Sequence, residues 1–315
     1  MSSRPGLEPR YLLPFTLSIV SGSMVALQSR INGELGLALG NGSIAALFSF
    51  TSGLLVLSLA VALSARARAG LVQVREDIRA GRLPWWAATG GIGGGFLVLT
   101  QGVSAGVLGV ALFTVAVVTG QTLGAMTIDT RGWFGIAKVR LSIWRVLGAV
   151  VTLVGAGVAL DVSSGSLDGV GVAFALPVVA GLGTGYQQAV NGRIKRLSGS
   201  ALTATFLNFS VGAALLALIT ALSLPFTGGP TGMPQSWWLW TGGLVGTIFI
   251  AIQATTVGTI GVLGLGVSLV TGQLLGSIVL DLVAPVTSSD IHPATIIGAL
   301  ITLVGSVLVT LGRKT

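Results

Sequence analysis

Long apolar runs without a single ionisable residue dominate the pattern along the chain. Residues 35–65, 83–128, 169–192 and 197–280 contain no Asp, Glu, Lys, Arg or His. A helix that crosses a bilayer needs about 20 residues. The run 197–280 is therefore expected to hold three such helices, and the run 83–128 is expected to hold two.

Splitting the runs at turn-like clusters of Gly, Pro and Ser predicts ten membrane-spanning helices, because lipid does not tolerate exposed irregular backbone between them. The predicted fold class is all-α, a polytopic membrane protein with ten transmembrane helices. The helices are placed near 12–32, 43–65, 85–104, 107–128, 144–161, 170–192, 201–223, 236–255, 259–281 and 294–311.

The overall composition supports a chain whose solvent is lipid. Hydrophobic residues make up 52% and charged residues 8%, with a mean hydropathy of +0.92, whereas soluble domains carry roughly 25% charged residues. The formal charge of +8 would indicate nucleic acid in a soluble chain, but here the cations are scattered over five short segments. We therefore expect the lipid bilayer as a partner and no nucleic acid.

The positions of these cations predict the orientation. With a cytoplasmic N-terminus, sixteen of the seventeen Lys and Arg residues lie in cytoplasmic segments, and only Arg30 lies on the other side. The positive-inside rule then selects cytoplasmic N- and C-termini.

The chain contains an internal repeat. Residues 85–129 align with 237–281 without a gap, and 18 of the 45 positions are identical, including TGQTLGAMTID (119–129) against TGQLLGSIVLD (271–281). QSRING, beginning at Gln28, matches QQAVNG, beginning at Gln187. We predict a five-helix unit used twice, 1–163 and 164–315, which together form one transport domain.

Because five is odd, the second unit is predicted to be inverted in the membrane. Equivalent loops carry opposite charge bias: the segment after the second helix holds five arginines, and its counterpart around 226–235 holds no charge. Inverted repeats of this kind are a recurrent architecture of secondary transporters, with the site near the midplane between the halves.

Polar residues that recur inside both units are the predicted site. Amides in hydrocarbon mostly face the bundle interior and pair with something. The alternative is that these residues only form hydrogen bonds between helices, each of which stabilises the bundle by about 0.6 kcal/mol. The predicted substrate-binding set is Gln28, Asn32, Gln101, Thr119, Gln121, Tyr186, Gln187, Asn191, Gln253, Thr271 and Gln273. The two TGQ segments, Thr119 to Gln121 and Thr271 to Gln273, are predicted to face each other near the midplane.

Two aspartates end the repeated motif. Asp129 is predicted at the cytoplasmic end of the fourth helix, and Asp281 at the outer end of the ninth. They are candidates for gating or ion coupling, and the alternative is that they only mark helix ends. No Asp or Glu lies near the centre of a predicted span, which weakens the case for proton-coupled export of cations.

Other signals are weaker. Glycines four residues apart, such as Gly120 and Gly124, permit close contacts between helices. These contacts are either surfaces along which helices slide during a conformational change or static packing. The stretch GVSAG, 102–106, matches a hydrolase pattern around Ser104, but that motif needs a strand-to-helix turn, a histidine and an acid. The one histidine is His292. We expect no catalytic residues, no metal and no cofactor.

The QxxxNG helix ending, the FxxG that follows it and the TGQxxGxxxxD stretch, each in duplicate, resemble the YdcZ-like branch of the drug/metabolite transporter superfamily in its fused ten-helix form. This resemblance covers essentially the whole chain. It implies a transporter in the bacterial inner membrane, with a central cavity lined mainly by helices one, three, four, six, eight and nine.

The predicted function is a secondary transporter that works by alternating access, and more specifically an exporter of a small polar or amphipathic metabolite or drug. The partner is then a small-molecule substrate, and assembly as a homodimer is left open. The alternative from another class is a membrane scaffold or subunit without a cavity, and an intramembrane enzyme is third.

Overall fold

The computed structural model describes residues 9–135, 138–160, 170–284 and 292–311, and every regular element within them is helical. Short 3-10 turns precede α4 and α10. The predicted boundary between the two units falls in 161–169, outside the described residues. The helices are α1 Pro9–Leu39, α2 Gly42–Leu63, α3 Ala65–Arg79, α4 Gly91–Thr100, α5 Gly106–Leu108, α6 Val110–Arg131, α7 Ile143–Ala159, α8 Val170–Ser198, α9 Ala201–Thr227, α10 Gly242–Val283 and α11 Pro293–Leu311.

Six helical segments are long and apolar enough to cross a membrane. Three shorter apolar helical segments accompany them. The six are Leu12–Leu39, Gly42–Leu63, Gly91–Leu108, Val110–Arg131, Ala201–Thr227 and Leu265–Val283, and the three are Ile143–Ala159, Trp237–Gln253 and Pro293–Val309. The protein is therefore an all-helical membrane protein.

Tight turns join the first helices. Gly40 adopts a φ of 64°, which a glycine tolerates without strain, and lets α2 fold back beside α1. Asn41 caps α2, since its side-chain oxygen accepts hydrogen bonds from the backbone N–H groups of Ser43 and Ile44. The side on which α1 ends is called the α1-end side below, and the opposite side is the α1-start side.

The segment between α4 and α6 departs from regular α-helix. Gln101–Ala105 forms a single π-helical stretch, α5 follows, and Gly109 with a φ of 77° lets the chain turn into α6. Such π turns inside a helix are often found at functional sites. The predicted break between 104 and 107 falls within this segment.

Helix α10 is assigned as one helix of 42 residues, where the sequence predicts two. Its contacts with α1 show that its two arms nevertheless run in opposite directions. Thr256 lies beside Ser18, with their hydroxyl oxygens 3.1 Å apart, and a Cβ on Gly272 would lie 1.9 Å from the carbonyl oxygen of Ile19. In a straight helix, positions 256 and 272 would be about 24 Å apart. The chain therefore reverses direction between these two residues.

Helix α3 was not predicted, because its run of arginines interrupts the apolar pattern used to find spans. The structure shows an amphipathic helix that lies across the α1-start ends of α8 and α9. Its buried residue Val74 joins a cluster with Leu83, Ala87, Ile194 and Ala204.

Glycines mark the closest helix crossings. Gly22 of α1 meets Gly272 of α10, and Gly181 of α8 meets Gly120 of α6, each at distances that leave no room for a Cβ. Helices α7 and α11 pack antiparallel through a seam of small residues: Gly148, Thr152, Gly155, Gly298, Thr302 and Gly305. The hydrophobic effect does not bring helices together in lipid, so their association depends on close packing, and small residues allow the helix backbones to come close enough.

Candidate functional site

A polar face of α1 runs through the interior of the bundle. Ser18, Ser21, Gln28, Ser29 and Asn32 are all at most 4% exposed. Buried polar groups need hydrogen-bond partners, and the partners on other elements belong to the π-helical stretch and α10. Helix α1 is therefore the element around which the candidate site is organised.

The first amide cluster contains Gln28, Ser29, Asn32 and Gln101. Asn32 donates from Nδ2 to Oε1 of Gln101 at 2.7 Å, and Gln101 donates from Nε2 to the hydroxyl of Ser29 at 3.0 Å. Gln28 donates to the carbonyl oxygen of Gly242 at 2.9 Å. Gln101 is fully buried, so its position is fixed by these two neighbours on α1.

A second amide cluster lies between α8 and α9. Gln187 donates to Oδ1 of Asn208 at 3.2 Å, and Asn208 donates to Oδ1 of Asn191 at 3.4 Å. Sequence reasoning missed Asn208 because the equivalent position in the first unit, Ser49, is not an amide. An asparagine in the middle of a charge-free predicted helix was the signal that could have identified it.

A small cavity lies between α1, α4, α6 and α10, beside the first amide cluster. It has room for about one water molecule, about 10 Å³. Gln273 is 5% exposed, and its Oε1 has no hydrogen-bond partner among the described residues. The lining residues are Val25, Ala26, Ser29, Leu97, Gln101, Phe113, Thr114, Val117 and Gln273. The cavity is therefore mostly apolar, with two amides and two hydroxyls on its wall.

The two TGQ segments are not used alike. Thr119 and Thr271 each donate their hydroxyl to the carbonyl oxygen four residues earlier in their own helix. Gln273 reaches the cavity wall together with Thr114 and Val117 of α6, whereas Gln121 is half-buried and does not line the cavity. Of the two segments predicted to face each other, only the second contributes a residue to this cavity.

Gln253 and Tyr186 take part in helix packing. Gln253 donates to the hydroxyl of Ser21 on α1 at 3.1 Å. Tyr186 donates its hydroxyl to the carbonyl oxygen of Trp86 at 2.8 Å, and its ring lies edge-on to Phe134 with centroids 4.8 Å apart. Neither residue lines the cavity.

Asp281 closes the α1-end side of the bundle. Its carboxylate accepts hydrogen bonds from the backbone N–H groups of Val110 at 3.0 Å and Ala111 at 2.6 Å. A carboxylate at a helix N-terminus is stabilised by the unpaired N–H groups and by the helix dipole. Arg30 donates to the carbonyl oxygens of Leu280 and Ala284 nearby. The end of α10 is thereby tied to the start of α6 and to α1.

Asp129, which is equivalent to Asp281 in the sequence repeat, forms an ion pair. Nη2 of Arg145 lies 3.1 Å from its Oδ2, and both side chains are almost fully buried. The sequence analysis counted Arg145 only as a cytoplasmic loop cation. Breaking a buried ion pair by removing one partner is strongly destabilising, typically by about 3–5 kcal/mol.

Glycine backbones form a seal on the α1-end side. A Cβ on Gly36 would lie 2.1 Å from the carbonyl oxygen of Gly102, and one on Gly33 would lie 2.7 Å from the backbone nitrogen of Gly106. Gly42 at the start of α2 meets Gly102 in the same way. These five glycines are called the glycine seal.

Ser104 lies in the π-helical stretch, fully buried and without a hydrogen-bond partner among the described residues. The strand-to-helix turn that the hydrolase motif requires is not the local structure there. His292 directly precedes α11 and is exposed.

Comparisons with known proteins agree with this architecture. A family model named DMT_YdcZ and described as "Putative inner membrane exporter, YdcZ" matches residues 13–158 and 172–308. A solved structure described only as "Crystal structure of protein" covers 97% of this chain and 98% of its own, at 21% identity and a TM-score of 0.54. That likeness concerns the fold alone. No curated protein matches the chain.

Proposed function

The chain belongs to the DMT_YdcZ family of inner-membrane exporters, and from this membership we propose that it is a secondary transporter that exports a small polar or amphipathic metabolite by alternating access. It is a multi-pass inner-membrane protein. The ten spans, the two inverted five-helix units and the cytoplasmic termini are parts of the proposal.

Matched contacts support the two inverted units. Gly22 and Gly181 are equivalent in the repeat, as are Gly272 and Gly120, and the contact Gly22–Gly272 is repeated as Gly181–Gly120. Phe50 and Phe209, which are also equivalent, stack on each other with centroids 4.7 Å apart. A residue that contacts its own equivalent lies on the axis that relates the two units, which is the geometry expected of inverted repeats.

One unmatched hydrogen bond carries the proposal of alternating access. Asn32 of α1 donates to Gln101, whereas the equivalent residues Asn191 and Gln253 are hydrogen-bonded to Asn208 and to the hydroxyl of Ser21. Residues that are equivalent in sequence therefore differ in their contacts at the two sides of the bundle. A transporter captured with one side closed has this asymmetry, because the two units exchange roles in the opposite state.

The cavity supports a site near the midplane. The unpaired Oε1 of Gln273 is an acceptor for a substrate N–H or O–H group, and Leu97, Phe113 and Val117 offer apolar contact. Room for about one water is too small for a metabolite, so the site has to widen when the α1-start side opens.

Thiol labelling of single cysteines tests this proposal, and the chain has no native cysteine. We expect Gln273→Cys to react with a membrane-impermeant maleimide added from the α1-start side. Ala116→Cys is the matched control, because Ala116 is fully buried in the helix that lines the cavity but does not line it. A folded Gln273→Cys variant that is unreactive from both sides would favour a scaffold without a transport path.

The substrate itself is sought by a thermal-shift screen of metabolites against the purified protein, since a ligand that binds only the folded state raises its apparent stability. A hit is then tested in proteoliposomes with the Gln273→Ala variant. Loss of transport with unchanged folded yield supports the site, and unchanged transport removes Gln273 from it.

A further inference from the structure

Helix α3 leaves the membrane-spanning helix α2 without an intervening loop. Ser64 ends α2, donating its N–H to Val61, and caps α3 by accepting a hydrogen bond from the N–H of Ala67. In the last two turns of α2, Leu59 is 64% exposed and Leu63 is 79% exposed. Exposed leucines of this kind on a spanning helix face lipid chains. Helix α3 therefore begins at the edge of the apolar layer.

Its buried face fixes α3 against the ends of α8 and α9. The hydroxyl of Thr203 donates to the carbonyl oxygen of Ala67 at 3.0 Å. A Cβ on Gly70 would lie 2.5 Å from the hydroxyl oxygen of Thr203, so the helix is held closely. Because of these contacts α3 lies along the border of the bundle and does not extend away from it.

The opposite face of α3 carries arginines. Arg68, Arg75 and Arg79 are exposed, and their spacing of seven and four residues places them on one side of the helix. Val72, 56% exposed, lies between them. In the part of the chain that the structure describes, no acidic side chain forms an ion pair with these three arginines.

The buried acid of α3 is already engaged by other groups. Asp77 accepts hydrogen bonds from Nε and Nη2 of Arg82 at 2.8 and 2.6 Å and from Gln73 at 3.0 Å. The guanidinium of Arg82 and then the amide of Gln73 hold the pKa of Asp77 below its ordinary value of 3.8. The charge of Asp77 is therefore neutralised by Arg82 and not by the exposed arginines. The other acidic residue of α3, Glu76, is exposed.

We propose that the arginine face of α3, formed by Arg68, Arg75 and Arg79 around Val72, binds the phosphate groups of anionic phospholipids in the adjoining leaflet. Guanidinium groups bind phosphate oxygens through two parallel hydrogen bonds. The long side chains can reach the headgroups while their carbon stems cover apolar surface. Basic segments next to a membrane span are attracted to an anionic leaflet in this way.

The location favours a lipid over a free phosphate. The exposed valine between the arginines matches the boundary between acyl chains and headgroups, where amphipathic helices lie, whereas a binding site for a dissolved anion gains nothing from it. The lipid is also present at high local concentration, because α2 brings α3 to the bilayer surface.

The test compares the double variant Arg75→Gln/Arg79→Gln with a matched control, Lys138→Gln/Arg140→Gln. The control removes the same charge from two exposed residues in the segment between α6 and α7. Phosphatidylglycerol bound to each purified protein is measured by native mass spectrometry. We expect about 25-fold weaker binding for the α3 variant, about fivefold for each arginine, and unchanged binding for the control.

Equal loss in the control would overturn the proposal, because any two cations would then serve. Retained binding in the α3 variant would also overturn it.

A second variant covers the case in which the glutamine variant does not insert correctly. Arg75→Lys/Arg79→Lys keeps the charge, but its phosphatidylglycerol binding should fall at least severalfold, because lysine cannot form the paired hydrogen bonds. Unchanged binding would contradict the proposed arginine–phosphate geometry. Inorganic phosphate at matched concentration should not displace the lipid, and displacement would identify a site for free phosphate.

Discussion

At the scale of single residues, the same amide side chain serves two purposes. Gln101 is fully buried with a partner at each end of its amide, whereas Gln273 is equally enclosed but has an acceptor without a partner. A buried polar group without a partner costs stability. Because Gln273 also lines the cavity, the proposed function places Gln273 in the site and makes Gln101 a support for it.

The first prediction separates these roles by stability. Gln101→Leu should lower the free energy of unfolding by about 1–3 kcal/mol, because Asn32 and Ser29 lose their partner inside the bundle. Gln273→Leu, of the same size and polarity change, should leave the stability unchanged or raise it slightly. Thermal unfolding in one detergent measures both, and equal destabilisation by the two changes would contradict the assignment.

At the scale of elements, backbone contact between glycines decides which helices meet. The π-helical stretch turns the backbone of Gly102 towards Gly36 and Gly42, at distances that no side chain could occupy. The equivalents of Gly36 and Gly42 are Lys195 and Ala201, so these two close contacts belong to the α1-end side alone. Under the proposed alternating access, the glycines of this side are surfaces that part and rejoin.

The second prediction concerns that contact. Gly36→Ala should prevent full closure of the α1-end side, because its Cβ would lie 2.1 Å from the backbone oxygen of Gly102. We expect a cysteine at Gln273 to become reactive from the α1-end side in this variant. Gly157→Ala is the control, since a Cβ there meets no atom within 4 Å among the described residues. The same reactivity in both variants would show that the glycine seal does not control access.

At the scale of the whole molecule, the structure combines matched and unmatched contacts. Under the proposed two-unit architecture, packing between the units is repeated at Gly22–Gly272 and Gly181–Gly120, while the hydrogen bond between Asn32 and Gln101 is not repeated between Asn191 and Gln253. The matched contacts would hold the units together, and contacts of the unmatched kind would distinguish the two sides. Transport by this protein would exchange the second group of contacts and keep the first.

The third prediction locks the molecule in one state. Leu37 and Gly106 are in contact, since a Cβ on Gly106 would lie 2.7 Å from Cγ of Leu37. Their Cβ positions are therefore close enough for a disulfide, which spans about 3.5–4.5 Å between Cβ atoms. Leu37→Cys/Gly106→Cys should lose transport on oxidation and regain on reduction the level of the Gly106→Cys single variant, whose own transport should not depend on oxidation. Full transport by the oxidised pair would mean that this side need not open.

The sequence by itself determined that the chain is helical and lies in a membrane, since the charge-free runs exclude any other solvent for so much apolar surface. It also identified the family through duplicated motifs, and it identified Gln28, Asn32 and Gln101 as buried amides. Amides inside an apolar helix have to find partners, so their burial follows from composition and spacing alone.

Only the tertiary structure decided which partners they have. The sequence treats Gln121 and Gln273 as equivalent, yet Gln273 reaches the cavity and Gln121 does not. The residues that surround each glutamine belong to helices distant in sequence, and the repeated motif does not specify them. Asn208, Arg145 and α3 were missed for a related reason. Each acquires its role from a neighbour distant in sequence, and local patterns of polarity carry no information about such neighbours.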